Sequence, residues 1–340
     1  MLRAILLCSV SLSAATVQEI AKLSEGCFPV KFLSPEFGWC DGPVGPKATD
    51  DGGRTWSTIP KPPERRGAKD LMRFAYPMRI EFLTPRQAWA TNHDELFLTE
   101  DRGETWAERS LPADLHHLLF VTRDVGFASA WQNAAGPGPA GVPAVFRTTD
   151  GGRTWLQQRY ANRKTYRDLR GGLGWLEFAD AGHGLSVELD DMYFTRDGGI
   201  TWKKSAFCPS IRGRLETWIG SDMWGGTRAQ LLDSQYGWWT VNGDTFRTTD
   251  GGGTWCPVTP IRLKGRRMSI SDLQFATRDV GWAELTHTGI ADELPLFETR
   301  DGGRTWKALG LPGEFNLVSV VSESAIYLTR EGRLYRLIRD

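Results

Sequence analysis

The stretch TTDGGRTW, Thr148–Trp155, decides the architecture because it recurs. The same pattern, Thr-x-Asp-x-Gly-x-Thr-Trp, reads TDDGGRTW at Thr49–Trp56, TEDRGETW at Thr99–Trp106 and TRDGGITW at Thr195–Trp202. It returns as TTDGGGTW at Thr248–Trp255 and TRDGGRTW at Thr299–Trp306. The aspartates Asp51, Asp101, Asp150, Asp197, Asp250 and Asp301 are spaced by 50, 49, 47, 53 and 51 residues. A period of that length in a sequence of strands and turns signals a propeller or solenoid. Within each octet, glycine at the fifth position permits a positive φ. The aspartate can accept hydrogen bonds from turn amides. The second threonine opens the next strand, and Trp56, Trp106, Trp155, Trp202, Trp255 and Trp306 are expected to pack between sheets. Six such aspartates lie on six different units and cannot converge on a metal or an acid/base centre, so the octet reads as structural and no metal site is expected.

A second pattern runs in phase with the first. Before each octet lie an apolar run, a polar turn, then Gly or Ala followed by a large apolar residue, as in KFLSPEFGW ending at Trp39 and LQFATRDVGW ending at Trp282. A seventh copy, LVSVVSESAIYLTREGRLYRL, closes the chain, and Thr329, Glu331 and Gly332 look like the decayed start of an octet. Each unit reads as four strands, the size of a propeller blade, and blades must stack to bury both faces. The expected fold is an all-β, all-antiparallel, seven-bladed β-propeller. Its last blade borrows an outer strand from around Val17–Leu23, which pairs the chain ends and removes an exposed edge.

Composition agrees with one soluble domain. Fifteen tryptophans and 38 glycines fit many tight turns, each followed by a large packing residue. Lys plus Arg equals Asp plus Glu at 41 each, which argues against a general nucleic-acid binder. Residues 1–15 read as a secretory signal: Arg3, a short apolar run from Ala4 to Leu12, then small residues at Ser13 and Ala15. That run is too short to span a bilayer, and 16–340 is left as a single propeller. An exported chain can form disulfides, and Cys27–Cys40, flanking one hairpin, and Cys208–Cys256 are the candidate pairs; four buried thiols are the alternative.

These octets resemble the Asp-box, or bacterial neuraminidase repeat, found in sialidases, xyloglucanases, sortilin-type receptors and photosystem II assembly and stability factors. The boxes and the Gly-Trp strands before most of them look most like the last family over residues 28–340. The resemblance implies a seven-bladed propeller behind an export signal, in the periplasm or outside the cell, or in the thylakoid lumen of a phototroph. It is specific for fold and weakly so for function.

An enzyme reading finds little in the residues. The Phe-Arg-Ile-Pro segment typical of bacterial sialidases is absent, tyrosine is scarce, and no nucleophile or phosphate-loop motif occurs. Adjacent His116 and His117 read as a loop before an inner strand. Basic residues are more informative, since the links from one blade to the next share a face opposite the boxes. Lys61, Arg65, Arg66, Lys69 and Arg73 fall on the first link, and Arg159, Arg163, Lys164, Arg167 and Arg170 on the third. Arg212 and Arg214, with Trp218 and Trp224, lie on the fourth, and Arg262, Lys264, Arg266 and Arg267 on the fifth. Ordinary solvated loops are one explanation. A cationic face for an acidic protein segment or a membrane-complex subunit is the other. The reading is an exported, non-enzymatic binding scaffold or assembly factor without cofactor, and the alternative is a sialidase-type propeller that hydrolyses or binds glycans.

Overall fold

Phe32 lies opposite Gly38, and that pair explains the first half of blades one, three, four and six. A Cβ at Gly38 would stand 2.6 Å from the Phe32 ring, so only hydrogen leaves room for the aromatic that fills the blade. The same register sets Phe120 opposite Gly126, Phe178 opposite Gly184 and Phe275 opposite Gly281; blade two uses Phe82 and Ala88. In this computed structural model the described residues are 15–24, 27–42, 45–63, 79–91, 95–112, 114–131, 143–160, 176–187, 192–209, 228–241, 244–286 and 294–339.

Seven antiparallel blades of four strands form the ring. Blade one sets the pattern from the axis outward: Val30–Phe32, Gly38–Cys40, Lys47–Thr49 and Ser57–Thr58. Blade seven takes its inner three strands from Asn316–Ser322, Ala325–Arg330 and Arg333–Arg339, and its outer strand from Ala15–Lys22. The last pair runs antiparallel from Ala15 opposite Arg339 to Lys22 opposite Arg333, so the two chain ends close the ring. Residues 1–14, most of the segment read as a secretory signal, lie outside the described residues.

Three expectations need correction. The fold is not wholly antiparallel: Ala206–Phe207 leaves blade four and runs parallel to Thr254–Pro257, giving blade five a fifth strand. Sealing the outer edge of blade five this way buries Trp255 completely, whereas the other box tryptophans are only partly buried. Second, Thr329, Glu331 and Gly332 are not a decayed box. They join the second and third strands of blade seven, whereas a box joins the third and fourth, and Glu331 and Gly332 have φ of 49° and 71°, as a two-residue hairpin requires. Third, His116 and His117 lie within the inner strand Asp114–Phe120, which carries a register shift between Leu115 and His117.

The core is a chain of clusters, most of them at a seam between neighbouring blades. Phe37, Trp39 and Ile59 of blade one meet Ile80, Phe82 and Phe97 of blade two in one such cluster. Near the axis, polar side chains clasp the next blade. Gln230 accepts from the Phe275 amide at 2.9 Å and donates to its carbonyl at 3.2 Å. Gln274 accepts from the Val320 amide at 2.9 Å, the Ser319 hydroxyl takes the Phe32 amide at 3.2 Å, and Lys31 pairs with Glu81. Such bonds satisfy inner-strand backbone that a neighbouring sheet cannot reach.

Candidate binding face

Strand direction sorts the loops. The turns between first and second strands and the box turns share one face; the links between blades share the other, with the turns between second and third strands.

On the box face the octets build closed hydrogen-bond circuits. The Thr148 hydroxyl donates to Asp150 Oδ1 (2.8 Å) and accepts from the Gly152 amide (2.9 Å). Asp150 then takes the Thr154 amide at 2.9 Å and the Thr154 hydroxyl at 2.6 Å. Boxes one, two, four and six repeat this circuit around Asp51, Asp101, Asp197 and Asp301. Asp250 takes the Thr248 hydroxyl and the Thr254 amide. The hydroxyls of Thr55, Thr105 and Thr154, with the turn amides, hold Asp51, Asp101 and Asp150 to about 2. The Thr201 hydroxyl leads in lowering Asp197; burial opposes the shift at Asp250 and Asp301, yet their turn hydrogen bonds still lower both. Such a carboxylate has its lone pairs committed to its own turn, which makes it a poor acid or base.

Among the described residues, the connection face carries a basic hairpin. The fifth link is a hairpin, Arg262–Leu263 against Arg266–Arg267, turned through Lys264 and Gly265, both with positive φ. Ile261 and Met268 flank it, both buried in the cluster of Trp238, Leu285 and Leu294, and the Met268 amide donates to the Ile261 carbonyl at 3.0 Å. Arg267 pairs with Asp244 of blade five. Arg262, Lys264 and Arg266 remain exposed on this buried base.

A second cluster on this side of the ring was not foreseen. Lys31, Asp41, Arg79, Glu81 and His117 come from blades one, two and three. Burial and the Glu81 carboxylate push Asp41 up to about 6, against the pull of Lys31 and Arg79. Burial, then Lys31 and Arg79, hold His117 down to about 4, so its imidazole is neutral at pH 7. The partial sequence signal is that the residue before each inner-strand aromatic or leucine is mostly polar: Lys31, Glu81, Glu177, Gln230 and Gln274.

Of the basic residues singled out from sequence, the structure brings Arg266 and Arg267 together on the hairpin, with Arg267 tied to Asp244. Arg65, Arg66, Arg163, Lys164, Arg167, Arg170, Arg212 and Arg214 lie outside the described residues, as do Trp218 and Trp224. Cys27–Cys40 and Cys208–Cys256 are both disulfide-bonded, with Cα separations of 5.3 and 5.0 Å. No group of metal-ligating side chains occurs among the described residues, and none of their helices is long and apolar enough to cross a membrane.

Fold and turn chemistry together define an Asp-box propeller. The BNR/Asp-box repeat family matches residues 193–204, the third strand and box of blade four. Comparison with curated protein sequences gives no match. Among solved structures the chain is similar to YCF48 bound to D1 peptide, with 18% identity and a TM-score of 0.60 over 95% of this chain and 96% of that one. It is equally similar to YCF48 from Cyanidioschyzon merolae, with 17% identity and a TM-score of 0.60 over 95% and 98%. The GH74 xyloglucanase from Xanthomonas campestris follows at 14% identity and 0.56, covering 87% of this chain but 47% of the enzyme. At these identities the likeness is one of fold.

Proposed function

We propose that the protein is an exported, non-catalytic scaffold that binds an acidic segment of a protein partner on its connection face. The observation that carries this reading is the hairpin at Arg262–Arg267, anchored by buried Ile261 and Met268 and presenting three exposed cations. Arginine suits this role because its planar fork meets a carboxylate through two parallel hydrogen bonds. The similarity to a YCF48 structure holding a peptide supports the choice of a polypeptide ligand, as does the match in length: one propeller in each, where the xyloglucanase is about twice as long. An assembly role for a membrane-complex subunit is the finer form of the same proposal. Disulfides between Cys27 and Cys40 and between Cys208 and Cys256 suit an oxidising compartment. The sialidase-type alternative needs a free tyrosine nucleophile. Tyr327 stacks on Phe32 and donates to the Pro35 carbonyl, and Tyr335 packs edge-on against Phe315.

The test is capture of partners from the source's own envelope fraction, comparing the wild type with Arg262→Glu/Lys264→Glu/Arg266→Glu. The wild type is expected to retain a protein with an acidic exposed segment, and to lose it as salt rises. The variant should fold normally, since exposed loop changes alter stability by only about 0.5 kcal/mol, and should lose that partner. Retention of the same partner at unchanged salt sensitivity, or capture of glycan instead, would sink the reading.

A further inference from the structure

Six copies of one turn allow each position to be compared with its counterparts, and two apolar residues stand out. The sixth residue of the box is Arg54, Glu104, Arg153, Gly253 or Arg304 in five blades, and Ile200 in blade four. The residue after the box tryptophan is Ser57, Ala107, Lys203, Cys256 or Lys307 in five blades, and Leu156 in blade three. Ile200 is 64% exposed and Leu156 is 70% exposed. A single apolar residue on a surface needs no explanation, but a contiguous pair marks an interaction site.

The fold brings these two together. Leu156 opens the outer strand of blade three, Leu156–Tyr160, and lies opposite Arg147. Residues paired across a sheet share a face. The Arg147 guanidinium packs on Gly198 of box four, and Gln158 of the outer strand packs on Gly199. Ile200 is the next residue, so it stands beside Leu156 at the seam of blades three and four. The corresponding position at the preceding seam carries Arg153, and that at the following seam carries Lys203, both exposed. The carboxylates of these two boxes, Asp150 and Asp197, are engaged by their own turns. On the box face, turns 120–126, 148–156, 178–184 and 195–203 are all described. The described residues that bound 132–142, 161–175 and 188–191 stand at the connection-face ends of their strands.

We propose that the seam of boxes three and four docks on an anionic lipid surface. Leu156 and Ile200 enter the headgroup layer, and Arg153 and Lys203 meet lipid phosphates on either side. Side chains as exposed as these protrude from the surface rather than line a groove. Two of them are too few for a stable protein contact, which buries about 800 Å² on each partner. An interfacial anchor needs less: a few apolar groups at headgroup level with basic residues beside them. Such a contact is weak and reversible, and it depends on negative lipid charge. The seam is on the opposite face from the hairpin and does not rest on the function proposed above.

The probe is vesicles of phosphatidylcholine, alone or mixed equally with phosphatidylglycerol, sedimented with the exported protein at low salt. The wild type is expected on the mixed vesicles and not on the neutral ones, and added salt should release part of it. Retention should weaken about tenfold or more in Leu156→Ser/Ile200→Ser, and likewise in Arg153→Glu/Lys203→Glu. Both variants change exposed positions and should melt at the wild-type temperature. Arg262→Glu/Lys264→Glu/Arg266→Glu on the far face separates this seam from the hairpin, and should be retained as the wild type is. Absence of retention on the mixed vesicles, or equal retention on the neutral ones, would overturn the proposal. So would undiminished retention of Leu156→Ser/Ile200→Ser, including the case in which that variant loses a captured protein instead.

Discussion

At pH 7 Asp150 takes one amide and two hydroxyl hydrogen bonds from its own turn, and its pKa is held to about 2. An unfolded aspartate titrates near 3.9. Its contribution to stability is therefore complete above that value and is lost as pH falls through the folded pKa. Asp51 and Asp101 act in the same sense, so thermal unfolding temperature should fall between pH 4 and pH 2. Asp150→Asn should melt lower than the wild type at pH 7 and show a shallower acid decline; an unchanged melting temperature would contradict the structural role of the box. Asp41 has the opposite sign. With its folded pKa raised to about 6, its contribution is complete below the unfolded value and disappears as pH rises through 6. Asp41→Asn should therefore gain stability relative to the wild type between pH 4 and pH 7, checked by melting curves across that range. Sequence reveals the first group because every partner lies within four residues. Asp41 is opaque to it because Glu81 and Arg79 arrive on another blade.

Blade five shows what an added strand does to an element. Trp255 is fully buried beneath Ala206–Phe207, whereas Trp155 is part-exposed on the surface of blade three. Trp255→Ala should cost about 3–5 kcal/mol, the range for a fully buried aromatic, and Trp155→Ala clearly less, both read from denaturant unfolding. The Cys208–Cys256 bond ties this strand to the outer edge of blade five across 48 residues. Its removal as Cys208→Ser/Cys256→Ser should cost up to about 4 kcal/mol; a variant as stable as the wild type would show that hydrogen bonds alone hold the strand. Two residues without alternation give no strand signal, so Ala206–Phe207 was readable only through the cysteine beside it. The error at Thr329–Gly332 has a related cause. A Gly-terminated hairpin turn and a box start share their local residue types, and only the missing Thr-Trp, with the count of preceding strands, separates them.

At the scale of the molecule, period and phase carried the fold: six boxes, seven Gly/Ala-led strands and a missing outer strand define a ring closed by its own ends. Val17 packs within the cluster of Leu317, Leu328 and Leu337 at that closure. Val17→Asp should lower the melting temperature and broaden the transition, because it opens the seam that joins the ends; a wild-type transition would mean the outer strand is dispensable. The contacts between blades were not legible, since Gln230, Gln274 and Ser319 act on partners that only the ring brings near. The division into two faces followed from strand direction alone, and the hairpin at Arg262–Arg267 falls on the face assigned to binding. Hydrogen exchange on the complex with the captured partner tests that assignment most directly. The account predicts slowed exchange across residues 261–268 and the neighbouring links, with the box turns of blades one to five unchanged. Protection confined to those box turns, with residues 261–268 exchanging as in the free protein, would contradict it.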